Sequence, residues 1–252
     1  MNQPREPFRI MGNLYYVGAS DVTSFLITSP QGHIVLDGGF AETASQILAN
    51  IRKLGFDPKD VKWLLNSHAH RDHAGGLAAL KRATGAKVAA SGADARLLER
   101  GGGADPDFGN RYLFPAVRPD RILQDGDTVV IGDTVMTAHL TPGHTHGCTT
   151  WTMPVQQDGR TYQAVFVCST SVMAARVAPL AGDYERTFRI LRALPADLFL
   201  ASHGSMFGLE DKARRLRAGA SPNPFLDRQG YLNYLDHSEA EFRKRLKHEE
   251  GE

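Results

Sequence analysis

The sequence holds little cysteine: Cys148 and Cys168 are the only two in 252 residues. Their spacing fits neither a zinc knuckle nor a CxxC redox pair, which excludes a cysteine-built metal or redox centre. They fall on two candidate strands, "CTTWTMPV" and "YQAVFVC", joined through Asp158-Gly159, a hairpin turn signal. Folding that hairpin brings the sulfurs close together. Two reduced, buried thiols are the expectation, with a cross-strand disulfide as the alternative. Long apolar runs are missing as well. None approaches the roughly 20 residues of a membrane span, and the opening "MNQPREPFRI" lacks the apolar core of a signal peptide. Neither charge is in excess: 29 basic against 28 acidic residues leave a net charge of +1, without the basic footprint or acidic tail of a nucleic-acid binder. No nucleic-acid partner and no membrane partner are therefore expected. The basic run "FRKRLKHEE" near the end reads as the solvated face of a terminal helix.

What is present is an ordinary globular composition, 42% hydrophobic and 23% charged, at a length that suits a single domain over 1–252. Strand and helix patterns alternate without a linker or an internal repeat. "NLYYVGA", "SFLITS" and "HIVLDGG" read as strands separated by turn residues. "ETASQILANIRKLG" carries Ala44, Ile47, Leu48, Ile51 and Leu54 at helical spacing and stops at Gly55. "VKWLLNS" is a buried strand, "GGLAALKRATG" a helix and "KVAAS" a strand. Arg100 to Val117 is a long irregular loop, of the kind that is often functional. Strands return at "DTVVIG", "TVMTAHLT" and the cysteine hairpin. "DYERTFRILRALP" is a helix, "ADLFLAS" a strand and "LEDKARRLRAG" a helix. In the tail, Ser238-x-x-Glu241 ahead of Phe242 has the form of a capping box and predicts a helix start there.

The dense chemistry lies in "LLNSHAHRDHAGG", Leu64 to Gly76, with three histidines and an aspartate between a buried strand and a glycine pair. The turn at the carboxyl end of a strand is where α/β sheets bind ligands. In extended backbone His68 and His70 point the same way, while Asp72 and His73 follow as the chain turns and can serve a second centre. Neutral imidazole and carboxylate are ligands that zinc prefers. Of the other histidines, His144 in "TPGHTHG" and His203 in "ASHGS" directly follow apolar strands and can reach the same edge. His33 follows a Pro-Gln-Gly turn and reads as a turn residue, and His139 as a core histidine with its polar atoms satisfied. His146 is near enough to support the site but has no partner to assign it.

"HAHRDHAGG", "LDGG", "PGHT" and "SHGS", in this order, resemble the motifs of the metallo-beta-lactamase superfamily. The resemblance implies an α/β fold, an αββα sandwich of two mixed sheets face to face with helices outside and metals at one edge. Glyoxalase II and the lactonases of that superfamily carry a metal-bridging aspartate on the strand before the last histidine. The matching segment here, "VFVCSTSVM", has serines and no acidic residue. That makes the chain similar to the third subclass of class B beta-lactamases. The likeness implies two zinc ions, one held by His68, His70 and His144 and the other by Asp72, His73 and His203. They would share a water whose pKa falls from about 15.7 toward neutrality and hydrolyse the amide bond of penicillins, cephalosporins and carbapenems. It further implies that Asp72 is catalytic, that Ser169 and Ser171 bind the substrate carboxylate, and that Asp37 orients a ligand without being one. A periplasmic monomer acting on a small beta-lactam molecule is expected, with the loop Arg100–Val117 and "MGNLYY" flanking the cleft. A lactonase, a glyoxalase II-like thioesterase and a non-catalytic metal-binding member of the fold are the alternatives. The last kind loses ligands, whereas all six positions are filled here. Three departures stand out: Arg71 adds a positive charge beside the metals, His146 stands where a small residue or proline is expected, and the C-terminal cysteine pair of some relatives is absent.

Overall fold

The apolar alternation of the first residues folds as a meander. Phe8–Met11 (β1), Leu14–Tyr16 (β2), Phe25–Ser29 (β3) and Gly32–Leu36 (β4) pair antiparallel in the computed structural model, which describes residues 2–173 and 177–250. Beyond β4 helical segments intervene between strands, and a strand that returns after such a crossover pairs parallel. Val61–Leu65 (β5), Lys87–Ser91 (β6) and Arg121–Leu123 (β7) thus complete a seven-stranded sheet in sequence order. The intervening helices are Thr43–Lys53 (α1), the single turn Arg71–Ala74 (α2), Leu77–Thr84 (α3) and Gly92–Glu99 (α4). Their apolar stripes, Ile47 and Ile51 of α1 with Leu77 and Leu80 of α3, bury against Val35, Leu64 and Val88 on the outer face of the sheet.

A second sheet holds Thr128–Ile131 (β8), Thr134–Leu140 (β9), Thr149–Gln157 (β10), Arg160–Val167 (β11) and Leu198–Ala201 (β12) in the order β12-β11-β10-β9-β8, with only β11 and β12 parallel. The helices Ala181–Ala193 (α5), Gly204–Phe207 (α6), Leu209–Arg217 (α7) and Arg228–Glu250 (α8) follow β11 in sequence. Phe199 of β12 meets Phe207, Tyr231 and Tyr234 on α6 and α8. Between the sheets Phe25 packs edge-on to Phe166 at 5.0 Å. Trp151 is fully buried and donates its indole N–H to the Asn66 carbonyl at 3.2 Å. Two mixed sheets with helices form the metallo-beta-lactamase type of sandwich, as expected. No helix among the described residues is long and apolar enough to cross a membrane.

Several expectations change. Cys148 and Cys168 form a disulfide with Cα atoms 5.9 Å apart and are not two thiols. The hairpin, turning at Asp158-Gly159 with both residues at positive φ, brings their backbones within bridging range. His33 is no turn residue: it lies in β4, buried against the edge of Phe56 at 5.1 Å. Ser238 caps nothing. It sits inside α8, whose single run buries Tyr231, Leu235 and Phe242 along one side, and this packing outweighs the local capping signal. The structure adds α4, which the strand and helix patterns read from the sequence do not include, with Ser91 accepting from the Asp94 amide at its start. "MGNLYY" does not flank the cleft. Gly12 donates to Gln157 and Asn13 to Thr134, at the end of the sandwich away from the histidines, since β10 runs its nine residues between the two ends.

Because the disulfide closes the hairpin, denatured but unreduced protein is expected to show no thiol reactive with Ellman's reagent. Reduction should cost about 3 kcal/mol of stability, the loop-closure magnitude. Two reactive thiols per chain before reduction would contradict the bridge.

Candidate metal centre

Five strand ends converge on one edge of the sandwich, and each leads into a polar residue. Asp37 follows β4, His68 and His70 follow β5, His144 lies between β9 and β10, Ser169 and Ser171 follow β11, and His203 follows β12. His70 is the last extended residue before α2, so Asp72 and His73 turn back toward the edge on that single helical turn. The turn is possible because Gly76 passes against the Gly38 carbonyl, where any Cβ would collide.

The six expected ligands come together as two trios. His68, His70 and His144 form one and Asp72, His73 and His203 the other, with the donor atoms of each trio all within 4.8 Å of one another. In the second trio His73 Nε2 lies 3.2 Å from His203 Nε2, and Asp72 Oδ2 is 3.4 and 3.5 Å from the two. Electron-pair donors that face one another at this range repel unless a cation or proton stands between them, so the donor set fits divalent ions with imidazole and carboxylate preferences.

The far sides of four of the five rings face oxygen. Ser67 Oγ is 3.0 Å from His68 Nδ1 and also donates to Asp37 Oδ2 at 2.6 Å. Asp37 Oδ2 is 3.3 Å from His73 Nδ1, the Ser171 carbonyl 2.8 Å from His144 Nδ1, and Asp21 Oδ2 3.1 Å from His203 Nδ1. Asp37 thus contacts His73 and belongs to neither trio. Its φ of 65° is a left-handed strain, stabilised by the Ser67 amide donating to Oδ1 at 2.7 Å. Asp21 gave no local signal in the sequence. It lies in a turn and reaches His203 only because Val22 bridges to His203 across the sheets.

The two trios differ in charge. Burial, reinforced by neighbouring imidazoles, pushes His70 down to about 4, His144 to about 3 and His68 well below its ordinary range. Burial also works against charge at Asp72 and His73, but the pair overrides it. His73 and His203 hold the Asp72 carboxyl below the usual range, while Asp72 and Asp37 hold His73 up at about 10. The hydrogen bond to His203 draws Asp21 down to about 2.

A cleft of about 340 Å³ opens over both trios. Phe108 and Tyr112 of the loop Arg100–Val117 wall it, as expected of that loop, together with Phe40 and Met173. Arg71 points into it, its guanidinium 5.4 Å from the ring centres of both Phe40 and Tyr112. Ser171 lines the cleft, whereas Ser169 is buried behind it. The Ser169 hydroxyl is 2.9 Å from Ser171 Oγ and accepts from the Ser171 amide at 3.2 Å. The two serines are therefore unequal: one faces the cleft and the other orients it. His146 is half exposed, 3.6 Å from Asp183, and joins neither trio. His139 is half-buried, 2.9 Å from Thr152 Oγ1.

Among known proteins, residues 17–203 match the Metallo-beta-lactamase superfamily. The native FEZ-1 metallo-beta-lactamase from Legionella gormanii is 41% identical with a TM-score of 0.95, over 99% of this chain and 98% of that one. BJP-1, a subclass B3 metallo-beta-lactamase of Bradyrhizobium japonicum, is 36% identical with a TM-score of 0.91, over 99% and 97%. The N-acyl homoserine lactonase AttM of Agrobacterium fabrum is 32% identical over 160 residues, 50% of this chain and 57% of that protein. The chain spans little more than half the length of the curated relatives it matches.

Metal ligands bind deprotonated, so the charge difference between the trios has a calorimetric consequence. At pH 7.5, below the raised value of His73, uptake of a divalent ion by Asp72, His73 and His203 is expected to release about one proton. Uptake by the three neutral imidazoles should release none from the ligands themselves. Metal titrations in two buffers of different ionisation enthalpy measure this, and two proton-neutral steps would contradict the assignment.

Proposed function

The chain belongs to the metallo-beta-lactamase superfamily, and from that premise we propose that it is a zinc hydrolase opening the amide bond of penicillins, cephalosporins and carbapenems. The observation that carries the proposal is the pair of filled ligand trios in a chain alike, over 99% of its length, to a metallo-beta-lactamase. His68, His70 and His144 would hold one zinc ion and Asp72, His73 and His203 the other. When bound, the two ions supply Lewis acidity and bring the pKa of a shared water toward neutrality.

The chain's own groups do the rest. Asp72, kept ionised by His73 and His203, stands at the cleft floor as a proton acceptor beside the reacting atoms. Every substrate named carries a carboxylate, and two groups in the cleft suit one. Arg71 offers a guanidinium that lies 5.4 Å from the ring centres of Phe40 and Tyr112, and Ser171 offers a hydroxyl 2.9 Å from that of Ser169. Phe40, Phe108 and Tyr112 supply an apolar wall that packs on the remainder of the molecule and limits water. The disulfide supports an oxidising compartment such as the periplasm, where we assign the protein as a monomer.

The similarity to AttM supports a second reading, hydrolysis of a lactone. Against it, "VFVCSTSVM" carries no acidic residue where the lactonases place theirs. The test is turnover of a carbapenem, a cephalosporin, an acyl homoserine lactone and a glutathione thioester by the zinc-loaded protein, each with and without EDTA. Lactam hydrolysis that disappears with chelator is expected. Turnover of lactone or thioester without lactam would move the function to that substrate.

His70→Ala is expected to lose one zinc and nearly all activity, and retention of both ions would overturn the ligand assignment. Arg71→Ala is expected to raise KM for lactams roughly tenfold or more with kcat within about threefold, as loss of a charge-assisted hydrogen bond in ground and transition states alike would do. An unchanged KM would remove Arg71 from substrate recognition.

A further inference from the structure

Of the five histidines in the two trios, four have an oxygen 2.8–3.3 Å from the ring nitrogen that faces away from the cluster. His70 alone lacks one. Its Nε2, like His73 Nδ1, is buried without a hydrogen bond, but where His73 has Asp37 Oδ2 at 3.3 Å, the carboxylate facing His70, Asp105 Oδ2, stands off at 4.0 Å, with both side chains about nine-tenths buried. Asp105 is held in place by its other oxygen. Oδ1 accepts from the Asp107 amide at 2.8 Å and from the Phe108 amide at 3.0 Å, while its backbone exchanges hydrogen bonds with Gly109. The same turn sets Phe108 edge-on to the His70 ring at 5.3 Å.

A ring that spends Nε2–H on a carboxylate presents Nδ1 to its metal, and such a partner fixes both tautomer and ring orientation. We propose that Asp105 is a positioning residue: in the zinc-loaded protein its Oδ2 accepts the His70 Nε2 proton and locks His70 with Nδ1 toward the ion shared with His68 and His144. The inference rests on the zinc reading above. It requires a shift of only about 1 Å to reach hydrogen-bond range. It also ties the substrate cleft to the metal. The turn that carries Asp105 carries Phe108 of the cleft wall, so movement of the wall and the grip on His70 are one event. Asp107 is the internal control. It sits on the same turn and offers a carboxylate within 4.8 Å of His70 and Asp105, but its exposed side chain is given no role in the lock.

The test combines zinc competition against a chromophoric chelator with 1H–15N spectra of the histidine rings in zinc-loaded protein. Asp105→Asn keeps the size and loses the charge. It is expected to weaken one zinc tenfold to a hundredfold, the range for such partners, and to shift or abolish a protected Nε2–H signal of His70. Asp107→Asn should stay within about twofold on affinity. Affinity within twofold and an unmoved ring signal in Asp105→Asn would overturn the proposal. So would a third zinc per chain lost in both variants, since that would make these carboxylates ligands of their own ion. If Asp105→Asn fails to fold, the wild-type spectrum decides: His70 protonated on Nδ1 instead of Nε2 would overturn it. No readout uses a substrate, so absence of lactam turnover would count against the function and not against this lock.

Discussion

Five imidazoles whose neighbouring ring centres lie 4.2–4.9 Å apart, most of them buried at one edge of a sandwich, are the constraint on which the rest depends. Such a cluster cannot carry several protons, and every ring nitrogen left without a partner costs stability. The chain meets the two demands differently on its two sides. Around His73 and His203 it places Asp72, Asp37 and Asp21, which balance a positive charge. Around His68 and His144 it places neutral oxygens, the Ser67 hydroxyl and the Ser171 carbonyl, which leave the imidazoles neutral. One half of the edge is thus a counter-charged site and the other a set of free electron pairs.

The scaffold bears local strain to hold this arrangement. Asp37 adopts a left-handed backbone although it is no glycine, and Gly76 must pass against Gly38 for α2 to fold the ligands inward. Compensation comes from what surrounds them. The Trp151 indole ties the second sheet to Asn66, whose amide in turn donates to the His68 carbonyl at 2.9 Å. Thr149 donates to Ser67 at 2.7 Å across the same seam. Asp94, buried with its pKa pushed up to about 7, receives Thr145 beside His144. Strain of this kind persists only where packing over-determines it.

Much of this was legible in residue order. The spacing from His68 to His73, after the apolar Val61–Leu65 and before two glycines, marks ligands at a strand end without any tertiary knowledge. His144 and His203 are found by the same rule. What stayed hidden has a common cause, dependence on distant parts of the chain. Asp21 reaches His203 across 182 positions and Asp105 faces His70 from an irregular loop, and a lone aspartate in a turn carries no local mark. The bond between Cys148 and Cys168 turns on hairpin geometry that composition underrates. Ser238 misled because a capping pattern is local, while the burial of Tyr231, Leu235 and Phe242 that continues α8 is not. Arg71 is an anomalous charge in the sequence, which does not reveal that Phe40 and Tyr112 stand beside its guanidinium.

Six side chains at one edge are arranged as two adjacent candidate metal sites. Diffraction at the zinc absorption edge, from crystals of zinc-loaded protein, tests this assignment most directly. Two anomalous peaks are predicted, one among His68, His70 and His144 and one among Asp72, His73 and His203, about 3.5–4 Å apart as in two-metal hydrolases. A single peak, or density between Asp105 and Asp107 in place of either, would contradict it.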